Sequence, residues 1–185
     1  MRKTLLASTC LATIIAMPAY AETSITTATT TPVSTSTVKS GAADDIKIGS
    51  AGSIKPTSGT AVTIDSNNKV TNDGTIQITN SDGARGIFAN AGVTGTITNS
   101  ATGKIIIDES YTPTDIDNDG DLDGPFAVGS NRVGIATGGA FTGNIVNSGE
   151  VTVEVLTGVV VAVVMLVSAY AGMAMIVARQ VDASR

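Results

Sequence analysis

Between residues 46 and 154, apolar and polar side chains alternate in runs too short to build a helical stripe. Ile46-Lys47-Ile48, Ala61-Val62-Thr63-Ile64, Thr75-Ile76-Gln77-Ile78, Gly95-Thr96-Ile97-Thr98 and Lys104-Ile105-Ile106-Ile107 are short β-branched segments separated by Gly, Asn, Asp and Ser. In an extended chain, residues i and i+2 share a face. Ile76 and Ile78 therefore point one way while Thr75, Gln77 and Thr79 point the other. Asn72-Asp73-Gly74 and Ser81-Asp82-Gly83 mark turns, because Gly accepts positive φ and Asn or Asp hydrogen-bonds its own backbone. No 3.6-residue periodicity competes between residues 40 and 154.

The segments also repeat. Thr71-Asn72-Asp73-Gly74-Thr75-Ile76, Thr98-Asn99-Ser100-Ala101-Thr102-Gly103-Lys104-Ile105 and Val146-Asn147-Ser148-Gly149-Glu150-Val151 share one pattern. Each has Thr or Val before Asn, a Gly-containing turn, a polar residue, then a β-branched one. Gly95-Thr96-Ile97-Thr98-Asn99 pairs with Gly143-Asn144-Ile145-Val146-Asn147 in the same way. Repeats of this length built from short strands are a solenoid signature. In a parallel β-helix like residues stack from coil to coil, and Asn at equivalent turns can form a ladder of side-chain amides. The predicted fold class is all-β, a parallel β-helix over residues 46–154. An antiparallel sandwich is the rival, since it also uses many short strands and turns.

Both ends depart from this texture. Arg2 and Lys3, an apolar stretch from Thr4 to Met17, Pro18 and the Ala19-Tyr20-Ala21 site read as a signal peptide over residues 1–21. The implied partners are the Sec export machinery and signal peptidase. Residues 22–45 are a Thr/Ser-rich lead-in, read as loosely extended, with an N-terminal cap strand as the alternative. Val155 to Ala178 carries no charge. As a helix it would reach about 36 Å, enough to cross about 30 Å of hydrocarbon, so residues 155–178 are a candidate transmembrane helix, followed by a polar tail over 179–185. Its Val runs favour extended structure as the competing reading.

Composition narrows the chemistry. The 185-residue chain has no His and no Trp, which excludes Ser-His-Asp or Cys-His catalysis and His-ligated metals. Its net charge of −5 and the lack of a basic patch argue against nucleic acid as a partner. Cys10, the one cysteine, lies in the signal peptide, so the mature chain forms no disulfide.

One segment does offer ligand chemistry, an insertion over residues 114–125. Asp115, Asp117, Asp119, Asp121 and Asp123 alternate, with Gly120 after the third. Oxygen donors at the first, third and fifth positions with Gly at the sixth match the start of a calcium loop of EF-hand type. The twelfth position is Phe126 rather than Glu, and no helix flanks the loop, so an EF-hand proper is excluded. The five Asp residues are the candidate metal ligands, for a structural Ca2+.

Taken together, the export signal, the Thr-rich lead-in and the N-[DS]-G-x-I coils resemble the N-terminal passenger region of a bacterial autotransporter (type V secretion). The resemblance covers residues 1 to about 153. It implies threading outward through a C-terminal β-barrel, location at the cell surface or outer membrane, and a structural or adhesive role. This chain carries no such barrel after residue 154, so it is expected to be a fragment, with periplasmic or inner-membrane location if it is the whole product. The expected function is therefore non-enzymatic. Two alternatives stand beside it: a single-span membrane protein with an extracytoplasmic β domain, and a fragment of a β-helix polysaccharide-processing enzyme.

Overall fold

The computed structural model describes residues 22–124 and 131–153, together with the backbone of 163–166 and 175–178. The signal-peptide reading over 1–21 lies outside the described residues.

Three strands make each turn of the chain. The first coil holds β1 (Thr23–Ile25), β2 (Ala28–Thr29) and β3 (Val33–Ser34); the second β4 (Ile46–Ile48), β5 (Ser53–Ile54) and β6 (Thr60–Ile64). The third holds β7 (Val70–Asn72), β8 (Thr75–Thr79) and β9 (Arg85–Ala89); the fourth β10 (Thr94–Asn99), β11 (Lys104–Asp108) and β12 (Val133–Thr137). β13 (Thr142–Asn147) and β14 (Glu150–Val153) begin a fifth. Successive coils pair in parallel, giving one sheet β1-β4-β7-β10-β13, a second β2-β5-β8-β11-β14, and a third that contains β3-β6-β9-β12. The result is a solenoid of parallel sheets, and the sandwich reading is excluded by the parallel pairing.

The register follows the sequence echoes. Gly95, Ile97 and Asn99 stand opposite Gly143, Ile145 and Asn147, and Ile76 and Ile78 stand opposite Ile105 and Ile107. Each strand turns its β-branched residues inward, so Ile48, Ile54, Ile64, Ile76, Ile87, Ile97, Ile105 and Ile135 are fully buried in one continuous core. Stacking each on its equivalent fills a narrow interior with stiff side chains that suit extended backbone. Where strands cross the narrowest space the interior residue is Gly. A Cβ on Gly86 would meet the Gly134 carbonyl and the Ile105 methyl, and one on Gly134 would meet Val151.

The Asn ladder anticipated from the repeats is present. Asn72 Nδ2 donates to Asn99 Oδ1 at 2.8 Å, and Asn99 Nδ2 donates to Asn147 Oδ1 at 2.8 Å. The same amides also donate to the next coil's backbone, at Lys104 O (3.2 Å) and Glu150 O (3.1 Å). Each Asn thus ties its turn to the following strand. The ladder begins abruptly: Ile48 occupies the matching place in the second coil, and Asn72 Oδ1 is buried without a partner.

Residues 23–34 differ from the loosely extended reading. They form the first coil and pair in parallel with β4, β5 and β6. Its anchors are polar: the Asp65 carboxylate accepts from Ser36 N (2.8 Å), Ser36 Oγ (2.7 Å) and Thr35 Oγ1 (3.2 Å). A Thr-rich segment can join a stack this way because its hydroxyls donate to carboxylates, Thr23 to Asp44 and Thr35 and Ser36 to Asp65, while its backbone supplies the ladder.

The apolar tail also departs from the helical expectation. β15 (Val163–Leu166) and β16 (Met175–Ala178) form an antiparallel pair, with β16 against β12 in the third sheet. Among the described residues no helix is long and apolar enough to cross a membrane. The consecutive β-branched residues of this segment account for the extended form. The rest of the 155–178 range lies outside the described residues.

Candidate metal centre

The insertion leaves the solenoid at the corner between β11 and β12, where other coils need only a short turn. Its base is fastened to the coil below. Ser110 N donates to Asn80 Oδ1 (2.8 Å) and Asn80 Nδ2 donates to Ser110 Oγ (2.6 Å). Across the base, Arg132 Nη2 lies 2.6 Å from Glu109 Oε2, with both side chains buried. Arg132 Nε also donates to the Ser81 carbonyl at 3.0 Å. A buried charge pair with a further backbone bond resists separation, since removing either partner strands the other charge away from water. The excursion is therefore held at its neck while its tip stands in solvent.

At the tip the loop folds round its own carboxylates. Asp115 accepts from Asn118 N (2.6 Å) and Gly120 N (3.1 Å), one through each oxygen. Asp123 Oδ2 accepts from Ile116 N (2.6 Å) and Asp117 N (3.3 Å), and Asp123 N donates back to the Thr114 carbonyl at 3.1 Å. Asn118 and Gly120 have φ of 60° and 100°, the left-handed conformation that turns successive N–H groups inward. This gives Gly120 the turning role its place after the third Asp implied.

Ligand atoms of Asp115, Asp117 and Asp123 consequently lie within 4.8 Å of one another. Asp115 and Asp123 are half-buried and Asp117 is exposed. Asp119 and Asp121 do not join this set. Asp119 Oδ1 accepts from Asp121 N at 3.1 Å, and Asp119 N donates to Asp117 Oδ1 at 3.2 Å, so these residues continue a chain of local Asx turns. The strict alternation thus has two physical sources, a carboxylate cluster and the turns that shape it.

Three carboxylates offer only hard oxygen donors, which suit Ca2+, Mg2+ or Mn2+ and not the N/S sites of zinc. No Lys or Arg among the described residues forms an ion pair with them. Their mutual repulsion, about 1 kcal/mol per pair at contact distance in water, is opposed by the inward-pointing N–H groups and would be relieved by a cation. The fold therefore brings together a set able to hold a metal ion, and a carboxylate-held metal is a candidate catalytic centre. This corrects the expectation of a purely non-enzymatic chain. Linear spacing showed one crowded acidic loop; only the return of Asp123 onto Asp115 and Asp117 shows a pocket of ligands.

Glu109, Arg132, Asn80 and Ser81 carry no sequence motif. Arg132 and its partner Glu109 stand at opposite ends of the insertion in the chain. The readable signal was a lone acid and a lone base flanking a long acidic excursion.

No protein-family model, no curated protein and no solved structure matches this chain.

Proposed function

We propose that this chain is part of an exported β-helix protein of polysaccharide-processing type, in which Asp115, Asp117 and Asp123 hold a divalent cation, with Ca2+ the first candidate, that engages an acidic saccharide. The observation that carries the reading is the convergence of the three carboxylates within 4.8 Å on a loop anchored at its neck. Charge supports the role of a cation: a chain of net charge −5 repels an anionic sugar unless a metal bridges the two. When bound, such an ion polarises a substrate oxygen. The chain's own part is to orient the ligands, with the N–H groups of Asn118 and Gly120 fixing Asp115 and those of Ile116 and Asp117 fixing Asp123.

A second reading, surface structure or adhesion in the manner of an autotransporter passenger, is favoured by a different observation. The cluster stands on an excursion whose tip is largely exposed, where a cation would stiffen the loop without touching a substrate. In both readings residues 1–21 direct export through the Sec machinery and signal peptidase cleaves after Ala21; the passenger reading places the product at the cell surface or outer membrane, and the periplasm or inner membrane is its location if this chain is the whole product.

Two measurements test this. Calorimetric titration of the full chain with Ca2+, beside Asp117→Asn, reads the metal centre; incubation with polyuronates, with and without Ca2+, reads the chemistry. Metal-dependent chain cleavage that Asp117→Asn abolishes supports the enzymatic reading. Metal binding without cleavage transfers support to the structural one, and no binding at millimolar Ca2+ removes the metal centre from both. Fractionation of a Gram-negative host, with N-terminal sequencing of the product, tests export and the cleavage site.

A further inference from the structure

One corner of the solenoid recurs from coil to coil. Between the second and third sheets the chain turns at residues 55–59 in the second coil, at 80–84 in the third, and through the insertion between β11 and β12 in the fourth. The strands that leave these turns are in register: Thr60 stands opposite Arg85, and Arg85 opposite Val133, the residue after Arg132 at the neck. Adjacent coils lie about 4.8 Å apart, so the corner forms a ridge leading to the base of the carboxylate loop. The described cations pair unevenly. Lys39, Lys47, Lys69, Lys104 and Arg132 each meet a carboxylate. Among the described residues Lys55 and Arg85 have no such partner, and both belong to this ridge. Lys55 opens the corner of the second coil and Arg85 follows that of the third.

Arg85 is fixed in place yet chemically uncommitted. Its guanidinium lies 4.8 Å from the centroid of the Phe88 ring. Phe88 is half-buried, in register with Thr63 and Ala136, and a Cβ on Gly138 would press on its ring, so glycine there gives the ring its seat. A cation–ring contact draws on the charge of the guanidinium and leaves its N–H donors available. Among the described residues the exposed Arg85 side chain makes no hydrogen bond. A fork of donors held in one position matches a carboxylate through two parallel bonds. Lys55 adds an ammonium beside an open cleft lined by Ala28, Thr29 and Thr30. Asp82 is the acid that shares this part of the corner, and the two cations outweigh it.

We propose that the corner between the second and third sheets is the path of an acidic saccharide, with Arg85 binding one sugar carboxylate and Lys55 a second. The proposal rests on the acidic-saccharide reading above and adds to it the residues that recognise the ligand's charge. A polyuronate carries a carboxylate on successive sugars, so a single chain can meet Lys55, Arg85 and a cation held by the carboxylate loop. Contacts joined in one ligand reinforce one another through effective concentration. A neutral saccharide offers nothing to the Arg85 fork, which makes Arg85 the residue that sets specificity.

The test reads binding of a fluorescent oligogalacturonate to the full chain by anisotropy, in EDTA and again with Ca2+. In EDTA the ridge acts alone. Arg85→Gln should weaken binding about tenfold, through loss of charge-assisted bonds, and Lys55→Gln about threefold, as an exposed ion pair does. Both losses should persist with Ca2+. Lys69→Gln, which removes a lysine paired with Asp45 at the corner between the third and first sheets, should change nothing. Methyl-esterifying the oligomer changes the ligand and leaves the fold untouched. It should weaken binding to the wild type, and the chain carrying both Arg85→Gln and Lys55→Gln should no longer distinguish acid from ester. Variants that bind as the wild type does, or a wild type that binds acid and ester equally in EDTA, overturn the ridge, whatever Asp117→Asn does to the metal centre. Binding that needs Arg85 while Asp117→Asn has no effect with Ca2+ upholds the ridge and removes the metal. No binding by the wild type at millimolar oligomer, in either condition, overturns the ridge and the saccharide reading together.

Discussion

Replacing Asn99 by Val tests whether the amide ladder, or merely the stacking of β-branched residues, holds the coils together. Val suits strands better than Asn, by up to about 1 kcal/mol, so propensity alone predicts a gain. The ladder predicts a loss. Asn99 makes three bonds through its side chain: it accepts from Asn72 and donates to Asn147 and to the Glu150 carbonyl. Losing them leaves the Asn147 oxygen without its donor and one Asn72 proton unpaired in a buried site. At roughly 1–3 kcal/mol for each stranded group, less the gain in propensity, the expected net loss is about 2–3 kcal/mol. That is a large share of the 5–15 kcal/mol typical of a folded domain. Asn72→Val is the internal control. Its Oδ1 is already buried without a partner, so removing it recovers part of the cost, and the loss should be near 1 kcal/mol. Urea unfolding followed by circular dichroism reads both. Midpoints should fall in the order wild type, Asn72→Val, Asn99→Val, with the last lower than wild type by roughly 1 M. Equal midpoints for the two variants, or a higher midpoint for Asn99→Val, would refute the ladder as a source of stability.

Three further outcomes are expected. Arg132→Met strands the buried Glu109 charge and should cost about 3–5 kcal/mol, while the double variant with Glu109→Leu recovers much of it; unfolding midpoints of the single and double variants decide. Gly86→Ala places a methyl against the Gly134 carbonyl and Ile105 and should lower the thermal midpoint by the equivalent of about 1–3 kcal/mol, although Ala suits a strand at least as well. The third concerns acid. Partial burial pushes the Asp65 carboxyl up, but bonds from the Ser36 hydroxyl and backbone and from Thr35 outweigh it and hold the group below its ordinary value. The stability it contributes is then full above about pH 4, the unfolded value, and is lost as pH falls through the lower folded value. Asp65→Asn should flatten the decline in stability between neutral pH and pH 2, and an unchanged decline counts against the assignment.

Much of the stack was legible in the linear pattern. The Asn72, Asn99 and Asn147 echoes named the ladder before any contact was known, because residues that stack in a solenoid must recur at like positions along the chain. β4, β8 and β11 show plainly as alternating Ile. β9 and β12 do not: Arg85-Gly86-Ile87-Phe88-Ala89 and Val133-Gly134-Ile135-Ala136-Thr137 carry glycines that suggest turns, yet these positions are glycine because the interior is narrow there. The first coil was hidden for a related reason. Its Thr and Ser residues carry no apolar rhythm, and what holds them is a set of bonds to Asp65, thirty residues away in the chain.

Local sequence, then, determined what recurs: short β-branched strands, glycine and asparagine at the corners, and an acidic excursion whose Gly120 had to turn. Those features depend on one residue's neighbours along the chain, or on equivalence between coils, and both leave a periodic trace. Tertiary structure alone decided which carboxylates meet, that Glu109 and Arg132 close the neck beneath them, and that the apolar tail pairs as strands beside β12. Each of these joins groups whose separation in the chain carries no period. Their meeting is set by how the backbone returns upon itself, and only the folded chain shows it.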